Sequence, residues 1–541
     1  MPSLTRRRKP LLIVFALGLL AALPLALGDG RTARLALNTW LLAGAVVAAS
    51  VPLGTLAAML LVRTDLPGRK LLFALLAGLL FVPLYVQVGA WQAGFGLQGW
   101  YTFAYSGPVL LDGWRGAIWV HAIAALPWVV LIVSAGLLLV ERELEEQALL
   151  YGSAWQAFRH VTLRRALGSV GVAALWVAVT TSAEMTVTDY FQVRTFAEEI
   201  YVDVALGGDL AAAPLGKAFG WLPGAGETQG EGASLGVWPG VLICAWLVVA
   251  ACVLVAQLLP VVRQASFGEP LVFRLGAWRG PAAAAMLVLV MLAVALPIGS
   301  LAFKAGVEVS QVGGQRVRHW SLAKCASIVA DSPVRYRQEF GWSLLIASLA
   351  ACAAVGAALP FAWHARRGGW RAAPALGLAA LALAIPGPVV GLAVIALLNR
   401  PDIPLLRWLY DHSIAAPWLA QTWRGLPLAL LTLWAGLRSV PSEVLESAAL
   451  DGAGWPTTLV RIVLPMRFWA FVGAWLASFA AALAELDASV LTVPPGVDTL
   501  TIRIFNLLHY SVEDQAAGIC LALFLAFEIG TIAAGRRAFR G

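Results

Sequence analysis

Glu184 and Glu485 are the residues whose type and setting most invite chemistry. Each stands in a long apolar stretch with a second carboxylate close by, Asp189 five residues after Glu184 and Asp487 two after Glu485. A carboxylate in lipid is costly and is a functional candidate by default, as a holder of cations or protons. The competing reading is that each caps or hydrogen-bonds a neighbouring helix. Residues two apart on a helix point to different faces, so Glu485 and Asp487 cannot both face one lumen fully. Little else suggests catalysis. There is no GxxxxGK[ST] phosphate loop and no HExxH pair. His121 and His509 stand alone near apolar runs and read as packing or hydrogen-bonding residues. The five cysteines show no CxxC spacing, so neither a metal site nor a disulfide is inferred. The chain reads as a non-enzyme with no cofactor of its own.

The elements that would hold these carboxylates follow from composition. Of 541 residues, 60% are hydrophobic and only 13% charged, with mean hydropathy +0.80. A soluble domain carries about a quarter charged residues, so this chain is an integral membrane protein. The expected fold class is all-α and polytopic, because long continuous apolar runs satisfy their backbone in lipid only as helices. Spans are expected at 10–28, 36–62, 70–90, 116–140, 168–190, 238–260, 281–303, 340–363, 372–398, 416–437, 468–491 and 514–535, each near the ~20 residues a bilayer requires. Basic residues orient them. Arg6 to Lys9, Arg63, Arg69, Arg142, Arg159, Arg263, Arg366, Arg438, Arg461 and Arg536 all fall on one side, which is the cytoplasm by the positive-inside rule. Both termini are then cytoplasmic. The net charge of +8 reports these loops rather than nucleic-acid binding. Segment 304–338 is the exception, an outer loop holding Lys304, Arg316, Arg318, Lys324, Arg335 and Arg337. The first span lacks a small-x-small cleavage site and reads as a retained helix.

The chain is duplicated. Gly152 pairs with Gly452 at an offset of 300, Leu163 with Leu464 and Glu184 with Glu485 at 301, and Pro83 with Pro386 at 303. The near-constant offset divides the chain into six-helix halves of like orientation, 1–270 and 271–541. It also places Glu184 and Glu485 near a pseudo-two-fold axis, where an electronegative ring would favour a cationic substrate. Pro83 and Pro386-Gly387-Pro388 are expected to kink the third span of each half around a gate.

Two polar segments stand out between the spans, 141–168 and 438–468. In the second, Pro441-Ser442-Glu443 favours a helix start. Glu446, Ala448 and Ala449 are good helix formers. Gly452 and Gly454 permit a sharp turn, and Pro456 can open a second short helix. The product is a rigid helix–turn–helix knob on the cytoplasmic surface.

Glu446, Ala448, Gly452, Leu464 and Pro465 resemble the EAA loop of binding-protein-dependent ABC importer permeases of type I. The earlier copy keeps Glu146, Ala148, Gly152 and Leu163 but has Arg164 in place of Pro465. The resemblance covers nearly the whole chain and implies two tandem permease modules fused on one polypeptide. It implies loops that couple to two separate cytoplasmic ABC ATPase subunits, which bind the ATP, and a periplasmic or surface-tethered substrate-binding protein docking on the outer side. The outer loop 191–237, with Glu198, Glu199, Asp203 and Asp209, lies on that side. Twelve-span fused permeases resemble those for ferric iron and thiamine in particular, in a bacterial cytoplasmic (inner) membrane. Ferric iron is preferred, with thiamine, a polyamine or a phosphonate as alternatives. The rival class is an ion-coupled secondary transporter, which has no need of a repeated ATPase-docking knob.

Overall fold

The computed structural model describes residues 30–105, 108–205, 271–312, 315–510 and 513–538, with scattered positions between 18 and 23 and between 243 and 253. The expected first span, most of the sixth, residues 263–270 of the join, the loop from 206 to 237 and both termini lie outside the described residues. Six described helices are long and apolar enough to cross a membrane, and four bent helix pairs raise the number to ten. These ten coincide with ten of the twelve expected spans.

Among the described residues, four spans recur in the same order in both halves. The first half runs through helix Gly30–Arg63, the pair Arg69–Phe81 and Leu84–Thr102, helix Gly113–Leu138 and helix Ala154–Ser182. The second runs through Gly276–Gly306, Arg337–Ala365, the pair Trp370–Ala384 and Gly387–Leu398, then Ala415–Arg438, Phe468–Leu483 and Glu513–Ala538.

The structure corrects two expectations. The third span of each half is broken outright rather than kinked, by 107° at Pro83 and 105° at Pro386. Proline disfavours helical backbone at its predecessor. Val82 (φ −80°, ψ 113°) and Ile385 (φ −75°, ψ 120°) are accordingly extended, and each proline caps the next helix. The fifth spans are also shorter than expected. They end at Ser182 and Leu483, so Glu184 and Glu485 lie just beyond the helices rather than inside them.

The second half also carries an antiparallel hairpin, β1 Val307–Val312 with β2 Gln315–Trp320, and then helix Leu322–Arg335. This is the basic segment that ran against the charge rule. Two of its lysines are engaged in structural contacts. The Lys304 ammonium donates to the carbonyl of Gln98 (2.7 Å). That of Lys324 donates to Val307 (2.6 Å) and lies 3.3 Å from Asp514.

The two sequence halves do not pack as separate bundles. One core joins helices 30–63, 69–95, 113–138 and 154–182 to Met286–Ala305 and Leu500–Phe524 of the second half. The other joins helices 337–365, 373–384, 415–438 and 468–483 to Phe196, Ile200 and Ile243–Ala250 of the first. Each half thus lends terminal helices to the other's bundle. Small and branched apolar side chains along these seams supply close van der Waals packing, which drives helix association in lipid.

Candidate functional site

At one end of the molecule, two helical knobs project from the bundle. In the first, helix Arg142–Tyr151 ends at Gly152, and Ser153 starts the next helix with a reciprocal cap to Gln156. In the second, helix Ser442–Leu450 ends at Asp451, Gly452 turns the chain, and Trp455-Pro456 opens the next helix. Gly452 has φ +75°, a left-handed conformation that disfavours any side chain. Gly152 differs, with φ −162°, ordinary extended backbone. Both knobs expose large apolar side chains at their tips. Leu150 is 81% exposed, Tyr151 93% and Leu450 89%, with Trp155 and Trp455 beside them.

The expected loop residues divide by burial. Glu146 and Glu446 are exposed, and Glu146 pairs with Arg142 at 2.7 Å. Ala448 is buried against the bundle and Ala148 half-buried, as are Leu163 and Leu464, while Pro465 is exposed. Pro465 marks a real difference between the copies. Trp455–Met466 meets Phe468–Leu483 at 85°, with the break at Arg467, whereas Ala154–Ser182 runs unbroken through Arg164.

Sequence reasoning missed the residue that anchors the first knob. Glu145, not Glu146, faces inward. Its carboxylate accepts from Arg63 (3.0 Å) and from the Thr162 hydroxyl (2.6 Å), and both ionic side chains are fully buried. Arg63 also donates to the carbonyls of Leu137 (2.6 Å) and Leu271 (3.3 Å), so one guanidinium ties two spans, the knob and the join between halves. Burial pushes the Glu145 carboxyl up from its ordinary value, against the pull of Thr162 and Arg63. The signal was available in the repeat. Position 445 is leucine and 463 valine, so the second copy fills with apolar groups what the first fills with Glu145 and Thr162.

Glu184 and Glu485 are buried where the chain has left its helix. The Glu184 carboxylate accepts from the Val187 amide (3.2 Å) and lies 3.0 Å from His121 Nε2. Glu485 accepts from the amides of Ala488 (2.8 Å) and Ser489 (2.9 Å) and from the Ser489 hydroxyl (2.7 Å). Gln421, which stands at the repeat offset from His121, reaches Ser489 at 3.3 Å. Both glutamates therefore organise the short helices immediately after them. Asp487 does something else. It accepts from the Thr186 hydroxyl (2.7 Å) and the Met185 amide (3.4 Å) of the other half. Thr186 and Asp487 are themselves repeat equivalents, at an offset of 301. Gly387, beside the Pro386 break, touches this carboxylate so closely that a Cβ there would lie 2.2 Å from that of Asp487. Tyr85, beside the Pro83 break, donates to the Leu483 carbonyl (3.4 Å). The breaks of both halves thus meet around Asp487. Among the described residues no group of three or more metal-ligating side chains converges.

Glu485→Ala removes an acceptor from three donors, and a cost of roughly 1–3 kcal/mol is expected from leaving buried donors unpaired. The expected readout is less folded protein and a lower melting temperature, with Glu485→Gln milder. Uptake lost at unchanged melting temperature would instead make Glu485 a lining residue of the pathway.

In the expected outer loop, Glu198 and Glu199 are not a free acidic surface. Both are buried, Glu198 lies 3.4 Å from Arg194, and Glu199 pairs with Arg194 and Arg31.

Helices able to cross a membrane, two of them replaced by broken pairs, with helical knobs between spans, fit a membrane transport subunit. The family of binding-protein-dependent transport system inner membrane components matches residues 351–534, a stretch that holds the second knob, Glu485 and Asp487. ORF1 of Streptomyces antibioticus, whose name describes a putative ABC transporter permease protein, is 32% identical over 219 residues, covering 39% of this chain and 88% of ORF1. The alpha-glucoside transport system permease protein AglG of Rhizobium meliloti is 35% identical over 132 residues, 22% of this chain and 34% of AglG. The spermidine/putrescine transport system permease protein PotC of Haemophilus influenzae is 29% identical over 156 residues, 28% of this chain and 58% of PotC. The chain thus spans about a third of AglG and somewhat over half of PotC. The chain belongs to the ABC transporter permease family, as a multi-pass transport subunit of the inner membrane.

Proposed function

We propose that this chain is the permease subunit of a binding-protein-dependent ABC importer, with both type I modules, 1–270 and 271–541, fused on one polypeptide. The observation that carries the reading is the pair of knobs in register, at one end of the molecule, each with apolar side chains bared at its tip. Such surfaces on a chain this size mark docking sites. Each knob takes one cytoplasmic ATPase subunit, with Glu146, Ala148, Gly152 and Leu163 in one coupling loop and Glu446, Ala448, Gly452, Leu464 and Pro465 in the other. The knob end and both termini face the cytoplasm, and a substrate-binding protein delivers cargo at the opposite end. The pathway runs past the breaks at Pro83 and Pro386, beside Glu184, Glu485 and Asp487. The carboxylates favour a cationic substrate. Ferric iron is the preferred cargo from the overall layout, and the likeness to PotC supports a polyamine as the second reading.

The test is uptake by proteoliposomes holding the chain, its ATPase and its binding protein. Labelled ferric iron and labelled spermidine are offered separately, with and without internal ATP. ATP-dependent accumulation of either supports the reading, and the cargo taken names the substrate. Accumulation driven by an ion gradient without ATP would replace the ABC importer with a secondary carrier.

A further inference from the structure

Glu528 belongs neither to the knobs nor to the central carboxylate cluster. It lies on the last helix, Glu513–Ala538, in the middle of an apolar run, and is 4% exposed. Among the described residues, neither carboxylate oxygen has a hydrogen-bond partner. The group rests on Gly78, in the broken span of the other half, where a Cβ would come 2.4 Å from Oε2. The carboxylate therefore occupies a seat that exists only because residue 78 has no side chain.

The elements packed against this helix are Arg69–Phe81, Leu84–Phe95, Leu296–Gly306, Leu322–Arg335 and Leu500–His509. Their titratable and charged groups are engaged elsewhere or stand away from the seat. Arg69 donates to the Thr64 carbonyl, and Lys70 is beside it, eight residues before Gly78. Tyr85 donates to Leu483, Lys304 to Gln98, and Lys324 to Val307 while pairing with Asp514. Asp331 and Arg335 are exposed, Arg503 lies near Glu339, and His509 pairs with Asp189. Cys325 and Cys520 are buried thiols. On the helix itself, Glu513 is at the start and Arg536 and Arg537 near the end.

An ionised carboxylate buried with neither counter-charge nor donor is costly enough that the group takes up a proton instead. We propose that Glu528 is an intramembrane proton-binding site at the seam between the two halves, held as the neutral carboxylic acid while helix 513–538 is packed on Gly78. The inference stands apart from the transported cargo.

Carbodiimide labelling of the full chain in proteoliposomes tests it. Dicyclohexylcarbodiimide adds intact to a carboxylic acid in an apolar setting and remains as an N-acylurea, read by peptide mass spectrometry. A water-soluble carbodiimide is the second reagent. The apolar reagent is expected to modify Glu528 about ten-fold more than the water-soluble one, because the acid faces no water. Gly78→Ala, which puts a methyl group in the seat, is expected to displace the carboxyl and abolish that preference. Equal labelling by both reagents, no labelling of Glu528, or an unchanged preference in Gly78→Ala would each overturn the proposal.

Discussion

Glu145→Ala is expected to destabilise the protein by about 3–5 kcal/mol, since it leaves Arg63 charged, buried and without its carboxylate. The whole node then suffers. Arg63 holds the ends of helices 30–63 and 113–138, the first knob and Leu271 together. Thermal unfolding in detergent, monitored by intrinsic tryptophan fluorescence, reads the loss. The second copy indicates the rescue. Leucine at 445 and valine at 463 occupy the positions of Glu145 and Thr162. The triple change Arg63→Met, Glu145→Leu, Thr162→Val replaces the ionic set with apolar groups of similar volume and is expected to recover most of the stability. A melting temperature in Glu145→Ala equal to that of the unmodified chain would show that the pair contributes nothing.

The second large effect is expected at Gly452. Its left-handed backbone costs a side chain roughly 1–2 kcal/mol, and no neighbour lies within 4 Å of a Cβ built there, so the obstacle is conformation rather than crowding. Gly452→Trp both resists that turn and adds bulk to the knob tip. Uptake with the ATPase present is expected to fall about ten-fold or more, with insertion unchanged, because a displaced tip no longer meets its partner. Gly152→Trp is expected to be milder. Its backbone is extended, and the atom nearest a new Cβ is the flexible Gln156 amide, at 2.5 Å. Full uptake by a correctly inserted Gly452→Trp chain would remove the coupling role.

The spans were legible because hydropathy over twenty residues is a strong, additive signal. Their interruptions were not. A proline announces that a helix bends, but whether it bends or parts depends on the extended residue before it, and Val82 and Ile385 look like ordinary span residues. The fifth spans end sooner than hydropathy alone suggests, for a related reason. The apolar run continues past Ser182 and Leu483, and the helix ends show only where Glu184 and Glu485 cap the short helices after them. Glu145 was hidden among Glu143, Glu145 and Glu146, three acidic residues of one surface helix, of which one faces the core. Asp487 was noticed only as a neighbour of Glu485. Its partner Thr186 is 301 positions away, a contact that the repeat offset alone could have suggested.

The exchange of helices between the bundles bears on how the chain is made. Synthesis runs from the N-terminus, and helices 30–63 through 154–182 enter the membrane long before Met286–Ala305 and Leu500–Phe524 exist to complete their core. Until the ribosome has finished the last span, the first half is an open surface facing lipid. Quality control therefore sees a nascent chain that matures all at once and late. A frameshift near the end would spoil the first bundle as surely as the second.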